Sequence, residues 1–134
     1  MPELLRIALS ADPRAAPCWR AVLALLLAVT SWLALTPAPP PEADLLWDKL
    51  NHFVAFASLA VAGYMGFQRR WLAVALGLLA YGGLIELLQS FTPTRVAEWV
   101  DLLADGIGIG LGLVLAAVLG WWAAARPVKS PAPD

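Results

Sequence analysis

Charged residues and cysteine are scarce in this sequence of 134 residues. Only 14% of the chain is charged, compared with about 25% in an average soluble domain. Cys18 is the single cysteine, so an intrachain disulfide and a cysteine-based metal site are both excluded. The net charge of −1 produces no field that would attract nucleic acid. A disulfide scaffold and a nucleic-acid-binding protein are therefore not expected.

Motifs for common catalytic chemistries are absent as well. The sequence has no serine-nucleophile motif, no phosphate-binding loop, no nucleotide fingerprint and no HExxH signature. We therefore expect no cofactor and no metal site. The sequence leaves open whether the protein is an enzyme.

Apolar residues make up 60% of the chain and form four long runs. The runs cover residues 19–35, 50–67, 71–91 and 102–122. Each has about 17–21 residues, the length that a helix needs to cross the hydrocarbon core. None alternates as a barrel strand would. We predict an all-α integral membrane bundle of four transmembrane helices, with tails at residues 1–18 and 123–134.

The first run also has features of a cleaved signal peptide, because basic residues precede a moderate apolar stretch. The segment that follows, residues 36–41, places proline after both small-residue positions at which cleavage would occur. Proline at that position generally blocks cleavage. We therefore expect the first run to remain as a membrane anchor.

Positive charges divide unequally between the two sides of the predicted bundle. Seven lie in the two tails and the turn after the second run: Arg6, Arg14, Arg20, Arg69, Arg70, Arg126 and Lys129. The other two loops carry only Lys49 and Arg95. The positive-inside rule therefore predicts a multi-pass protein with both termini in the cytoplasm.

Polar residues in and beside the apolar runs concentrate at the predicted outer ends of three helices. They are Asp48, Lys49, His52, Glu86, Gln89, Arg95, Asp101 and Asp105. Three pairs stand three or four positions apart, which places each pair on one helix face. Ionisable groups that face lipid are costly, so we expect these side chains to face one another or a wet cleft. They predict one polar site at the extracytoplasmic face.

Several of these residues also have a purely structural explanation. Asp48 and Asp101 suit the N-caps of helices that begin outside. Gln89 suits an interhelical hydrogen bond, and His52 suits an interface histidine. Glu86 is harder to explain in this way, because apolar residues flank it on both sides.

The last run carries glycine at alternate positions: Gly106, Gly108, Gly110 and Gly112. They form two overlapping motifs in which small residues stand four positions apart, a spacing typical of close helix packing. We predict tight packing through these glycines, and an oligomer that uses them is a further option.

Several short motifs together resemble the VanZ-like family, which is named after a bacterial teicoplanin-resistance protein. The motifs are DKLNHF at 48–53, AF at 55–56, ELLQSF at 86–91, PTR at 93–95 and DLLADGIG at 101–108. Thr94 stands where the family often has glycine, and Asp105 stands where asparagine is common. The resemblance covers residues 48–112. It implies a bacterial envelope protein in the cytoplasmic membrane, and it implies no particular reaction.

Three functions follow as expectations. In the first, the protein binds a lipid headgroup, a cell-wall precursor or a glycopeptide-related ligand, with Lys49 and Arg95 holding an anion. In the second, it is a membrane enzyme with Glu86 or Asp105 as general base and His52 as its partner, with or without a metal. In the third, it is a structural accessory subunit. A proton or ion path is the weakest option, because the inner halves of the helices have no relay residues.

Overall fold

The computed structural model describes residues 3–9, 12–36, 45–91 and 99–125. Regular structure within these ranges is entirely helical. The helices are α1 (Glu3–Leu9), α2 (Ala16–Leu35), α3 (Leu45–Gly66), α4 (Trp71–Gln89) and α5 (Trp99–Ala125). The prediction of an all-α fold is therefore confirmed.

The four long helices correspond to the four apolar runs, with different ends. α3 begins at Leu45 instead of residue 50, and α5 extends from Trp99 to Ala125 instead of from 102 to 122. Hydropathy marks only the apolar part of a helix, whereas backbone hydrogen bonds continue through its polar turns. α1 lies in the predicted N-terminal tail and was not expected from the sequence.

Three of the described helices, α2, α4 and α5, are long and apolar enough to cross a membrane. α3 does not meet that criterion because its first turns carry Lys49, Asn51 and His52. It contacts α2, α4 and α5, and its residues Phe56 and Leu59 are fully buried. A helix enclosed by others needs less apolar surface toward lipid. Crossing by α3, the fourth predicted span, remains a proposal.

Glycine allows α5 to approach the backbone of α3. A Cβ atom at Gly108 would lie 2.5 Å from the carbonyl oxygen of Phe53, and one at Gly112 would overlap the carbonyl oxygen of Ala57. A Cβ atom at Gly110 would meet open space. The tight packing predicted for this helix is confirmed for Gly108 and Gly112. The oligomer remains a prediction.

Contacts from the start of α2 fix the end of the bundle opposite the polar residues. Arg20 Nε donates to the Gly66 carbonyl oxygen at 2.8 Å, and its guanidinium carbon lies 5.3 Å from the centre of the Phe67 ring. The indole of Trp19 donates to the Ala8 carbonyl oxygen at 2.9 Å. These contacts set the height of α2 against α3 and tie α1 to the bundle.

Candidate functional site

The ends of four helices meet at one end of the bundle and bring most of the predicted polar residues together. α2 and α4 end there, and α3 and α5 begin there. We call the following six residues the polar cluster: Lys49, His52, Glu86, Gln89, Asp101 and Asp105. Six of the eight residues predicted for the polar site therefore lie at one end of the bundle, and their role as a binding site stays a prediction.

His52 and Asp105 form the centre of the polar cluster. Nδ1 of His52 lies 3.0 Å from Oδ1 of Asp105. Their side chains are 12% and 1% exposed. The second carboxylate oxygen, Oδ2 of Asp105, is buried with no hydrogen-bond partner among the described residues. The contact at Nδ1 fixes the orientation of the imidazole ring and occupies one of its two nitrogens.

Close approach by α4 encloses the Asp105 carboxylate. A Cβ atom at Gly82 would lie 2.7 Å from Oδ2 of Asp105 and 3.2 Å from Cζ of Phe56. Only a residue without a side chain fits here without displacing one of these groups. Gly82 is not among the site residues predicted from the sequence. Two consecutive glycines, Gly82 and Gly83, inside an apolar helix could have indicated that α4 closely approaches another helix here.

Lys49 and Asp101 form a second pair at the same level. Nζ of Lys49 lies 3.6 Å from Oδ1 of Asp101, and the side chains are 27% and 6% exposed. Asp101 lies in the first turn of α5, so its carboxylate also faces the positive end of the helix dipole. It is not the N-cap that the sequence suggested, because α5 begins two residues earlier, at Trp99.

Gln89 and Glu86 extend the polar cluster onto α4. Nε2 of Gln89 donates to the Ala34 carbonyl oxygen at 3.0 Å, which is the interhelical hydrogen bond expected for this residue. One ligand-type atom from each of His52, Glu86 and Asp101 lies within 4.8 Å of the other two. Each of these residues comes from a different helix.

Two predicted site residues cannot be assigned to the polar cluster. Arg95 and the side chain of Asp48 lie outside the described residues. Among the described side chains of the polar cluster, three carboxylates accompany one lysine and one histidine. Carboxylates therefore outnumber the basic groups among these described side chains. A phosphate group at this part of the site would therefore need a cation beside it, from Lys49 or from a bound metal ion.

A pocket of about 480 Å³ lies between α2 and α3 and reaches the polar cluster at His52. Its walls are mostly apolar and include Leu26, Val29, Leu33, Val54, Ala55 and Ile85. Asn51 and His52 provide polar groups. The volume falls within the range of about 300–1,000 Å³ that is typical of ligand pockets.

The VanZ/LLP1 family profile matches residues 16–120. The chain belongs to the VanZ-like family. The match extends from the start of α2 almost to the end of α5, so it includes every helix that builds the polar cluster and the pocket. It confirms the resemblance read from residues 48–112 and extends it to α2.

The VanZ-like chain is also similar to an uncharacterised protein of Schizosaccharomyces pombe, with 33% identity over 100 residues. The alignment covers 71% of this chain and 60% of that protein, so the chain spans less than two thirds of that relative's length. No solved structure matches the chain. Because this relative comes from a eukaryote, a similarity of this kind does not by itself indicate a bacterial envelope, and that location remains a prediction.

Proposed function

We propose that this VanZ-like protein binds a membrane lipid, with its apolar chain in the pocket and its phosphate-bearing headgroup at the polar cluster. The observation that carries the proposal is the position of His52, which lines the apolar pocket and contacts Asp105 in the polar cluster. A lipid has the same division into an apolar and a polar part.

The walls of the pocket support entry from the side of the bundle. Val29, Leu33 and Val54 line it, and they are 45%, 62% and 52% exposed. In a bilayer these exposed apolar side chains would face acyl chains. A lipid chain could therefore enter between α2 and α3 while its headgroup stays near the membrane surface.

The proposal includes four membrane crossings, with the polar cluster at the extracytoplasmic face of a cytoplasmic membrane. α3 packs among three helices that each have the length and hydropathy of a span. Its polar first turns would lie near the interface, where the cost of burying an ionisable group is lower. The distribution of lysine and arginine supports this orientation.

Replacing Val54 with tryptophan tests whether the pocket holds a lipid. The larger side chain should block the pocket and lower the affinity for lysophosphatidic acid, a single-chain phosphate lipid, by at least about tenfold. Val118→Trp is the matched control, because Val118 is similarly exposed, at 54%, and does not line the pocket. Binding is measured by native mass spectrometry of purified protein over a series of lipid concentrations.

Equal lipid binding by the two variants would contradict the proposal.

A second candidate is a structural role, favoured by the burial of Asp101 and Asp105 at 4% and 1% exposure. If the role is structural, the affinity of the wild-type protein for the lipid should not exceed its affinity for a neutral detergent of equal chain length. Acid–base catalysis by Glu86 or Asp105 with His52 remains a prediction.

A further inference from the structure

We propose that His52, Glu86 and Asp101 bind one divalent transition-metal ion, which links the carboxylates of the polar cluster to a phosphate group. The phosphate part of this inference rests on the proposed lipid function. The metal part stands on the ligand geometry alone. It departs from the sequence-based expectation of no metal site, because the sequence could not show that these three residues meet.

The positions of the ligand atoms support a metal site. One atom from each of the three residues lies within 4.8 Å of the other two. Ligand atoms around a tetrahedral ion stand roughly 3–3.5 Å apart, since each bond is about 2.0–2.2 Å long. Side-chain rotations that move each ligand atom by about 1 Å would therefore complete the site. Three protein ligands leave one position for a phosphate oxygen, as in open metal sites.

Asp105, which is not one of the three ligands, supplies a second observation. Metal-binding histidine generally donates its other ring N–H to a carboxylate, which fixes the ring and increases its basicity. Nδ1 of His52 lies 3.0 Å from Oδ1 of Asp105, so Nε2 is the nitrogen that would bind the ion in this proposal. The Asp105 side chain is only 1% exposed, and its Oδ2 has no hydrogen-bond partner among the described residues. It is a positioning residue in this scheme.

Charge among the described side chains of the polar cluster also favours a cation at this place. Three carboxylates next to a phosphate would repel it, and Lys49 is the one described lysine in the polar cluster. Its Nζ lies 3.6 Å from Oδ1 of Asp101, longer than the roughly 2.7–2.9 Å of a charge-assisted hydrogen bond. In the proposed site, the metal ion and Lys49 would both contact the Asp101 carboxylate. One imidazole and two carboxylates suit Zn²⁺ or Mn²⁺.

Metal titration of the purified full-length protein tests the proposal. The protein carries Cys18→Ser to remove the exposed thiol, is treated with EDTA in a neutral detergent, and is titrated with Zn²⁺ against a fluorescent chelator. We expect one ion per chain. Glu86→Gln and Asp101→Asn should each weaken Zn²⁺ binding by at least about tenfold. Asp12→Asn is the control and should not, because Asp12 pairs with Arg14 away from the polar cluster.

X-ray absorption at the zinc edge provides a measurement that does not depend on variants. The proposal predicts one imidazole and otherwise oxygen ligands in the wild-type site. No saturable binding, or equal affinity in all variants, would overturn it. Val54→Trp distinguishes the two proposals, because it should remove lipid binding and leave the metal ligands intact. If Val54→Trp retains both the metal and the lipid, the lipid proposal alone fails.

Discussion

At the residue scale, Asp105 is held from two helices. His52 of α3 contacts one oxygen of its carboxylate at 3.0 Å, and Gly82 of α4 lies against the other. A buried carboxylate is costly unless its surroundings compensate for lost water. The position of the Asp105 side chain therefore depends on glycine at residue 82 as much as on His52.

Gly82→Ala should destabilise the protein although alanine is the better helix former. The new methyl group would contact Asp105 Oδ2 and the Phe56 ring, and overpacking of this kind costs about 1–3 kcal/mol. Gly83→Ala is the matched control, because a Cβ atom at Gly83 would meet nothing within 4 Å. Its expected effect is a stabilisation of up to about 1 kcal/mol.

The measurement for this pair is thermal unfolding in detergent, followed by circular dichroism. Zn²⁺ titration of the folded variants then shows whether the displaced carboxylate has disturbed His52. Similar melting temperatures for Gly82→Ala and Gly83→Ala would mean that α4 does not approach Asp105 as closely as described.

At the element scale, the pairing of α3 with α5 positions four of the six residues of the polar cluster. α3 carries Lys49 and His52, and α5 carries Asp101 and Asp105. The side chains of each pair, Lys49 with Asp101 and His52 with Asp105, meet because the two backbones approach closely. The glycines of α5 make that approach sterically possible.

Gly112→Ala should weaken the α3–α5 interface, whereas Gly110→Ala should not. A methyl group at Gly112 would overlap the Ala57 carbonyl oxygen and lie 2.9 Å from the Ala60 Cβ, and one at Gly110 would meet open space. We expect a loss of about 1–3 kcal/mol for the first variant. The second should be neutral or slightly stabilising as a monomer.

Unfolding in a graded series of SDS concentrations measures this difference. An equal loss of stability in both variants would indicate that Gly110 is also covered, for example by a second copy of the chain. Chemical cross-linking of the Gly110→Ala protein, compared with wild type, would then identify the oligomer that the sequence leaves open.

At the scale of the whole molecule, the orientation in the membrane is open to a direct test. Ser90 lies at the end of α4 beside the polar cluster, and Gln68 lies in the turn after α3, at the opposite end. Both are exposed. In a Cys18→Ser background, Ser90→Cys should react with an impermeant maleimide in whole cells, and Gln68→Cys should react only after permeabilisation.

This expectation follows from the distribution of positive charge, with seven lysine and arginine residues on one side and two on the other. Labelling of Gln68→Cys in intact cells would reverse the orientation and place the polar cluster in the cytoplasm. Labelling of both sites at one side would mean that α4 does not cross the membrane.

The sequence by itself determined the four long helices and the family of the protein. Four apolar runs of spanning length predict four helices because a backbone in lipid must satisfy its own hydrogen bonds. Spacings of three and four residues predict which polar side chains share a helix face, and the motifs indicate the family. The short helix α1 was not predicted because it has no long apolar run. A tertiary contact, the hydrogen bond from the Trp19 indole to the Ala8 carbonyl oxygen, holds it against the bundle.

Only the tertiary structure decided which polar residues are partners. Residue spacing fixes a side chain's direction on its own helix, and it says nothing about how far one helix is rotated or shifted against another. Those quantities follow from packing, such as the contact of Gly108 with the Phe53 carbonyl oxygen. The three-dimensional structure was therefore needed to show that His52 pairs with Asp105. It was also needed to show that Glu86 and Asp101 converge on His52, since these residues are distant in sequence.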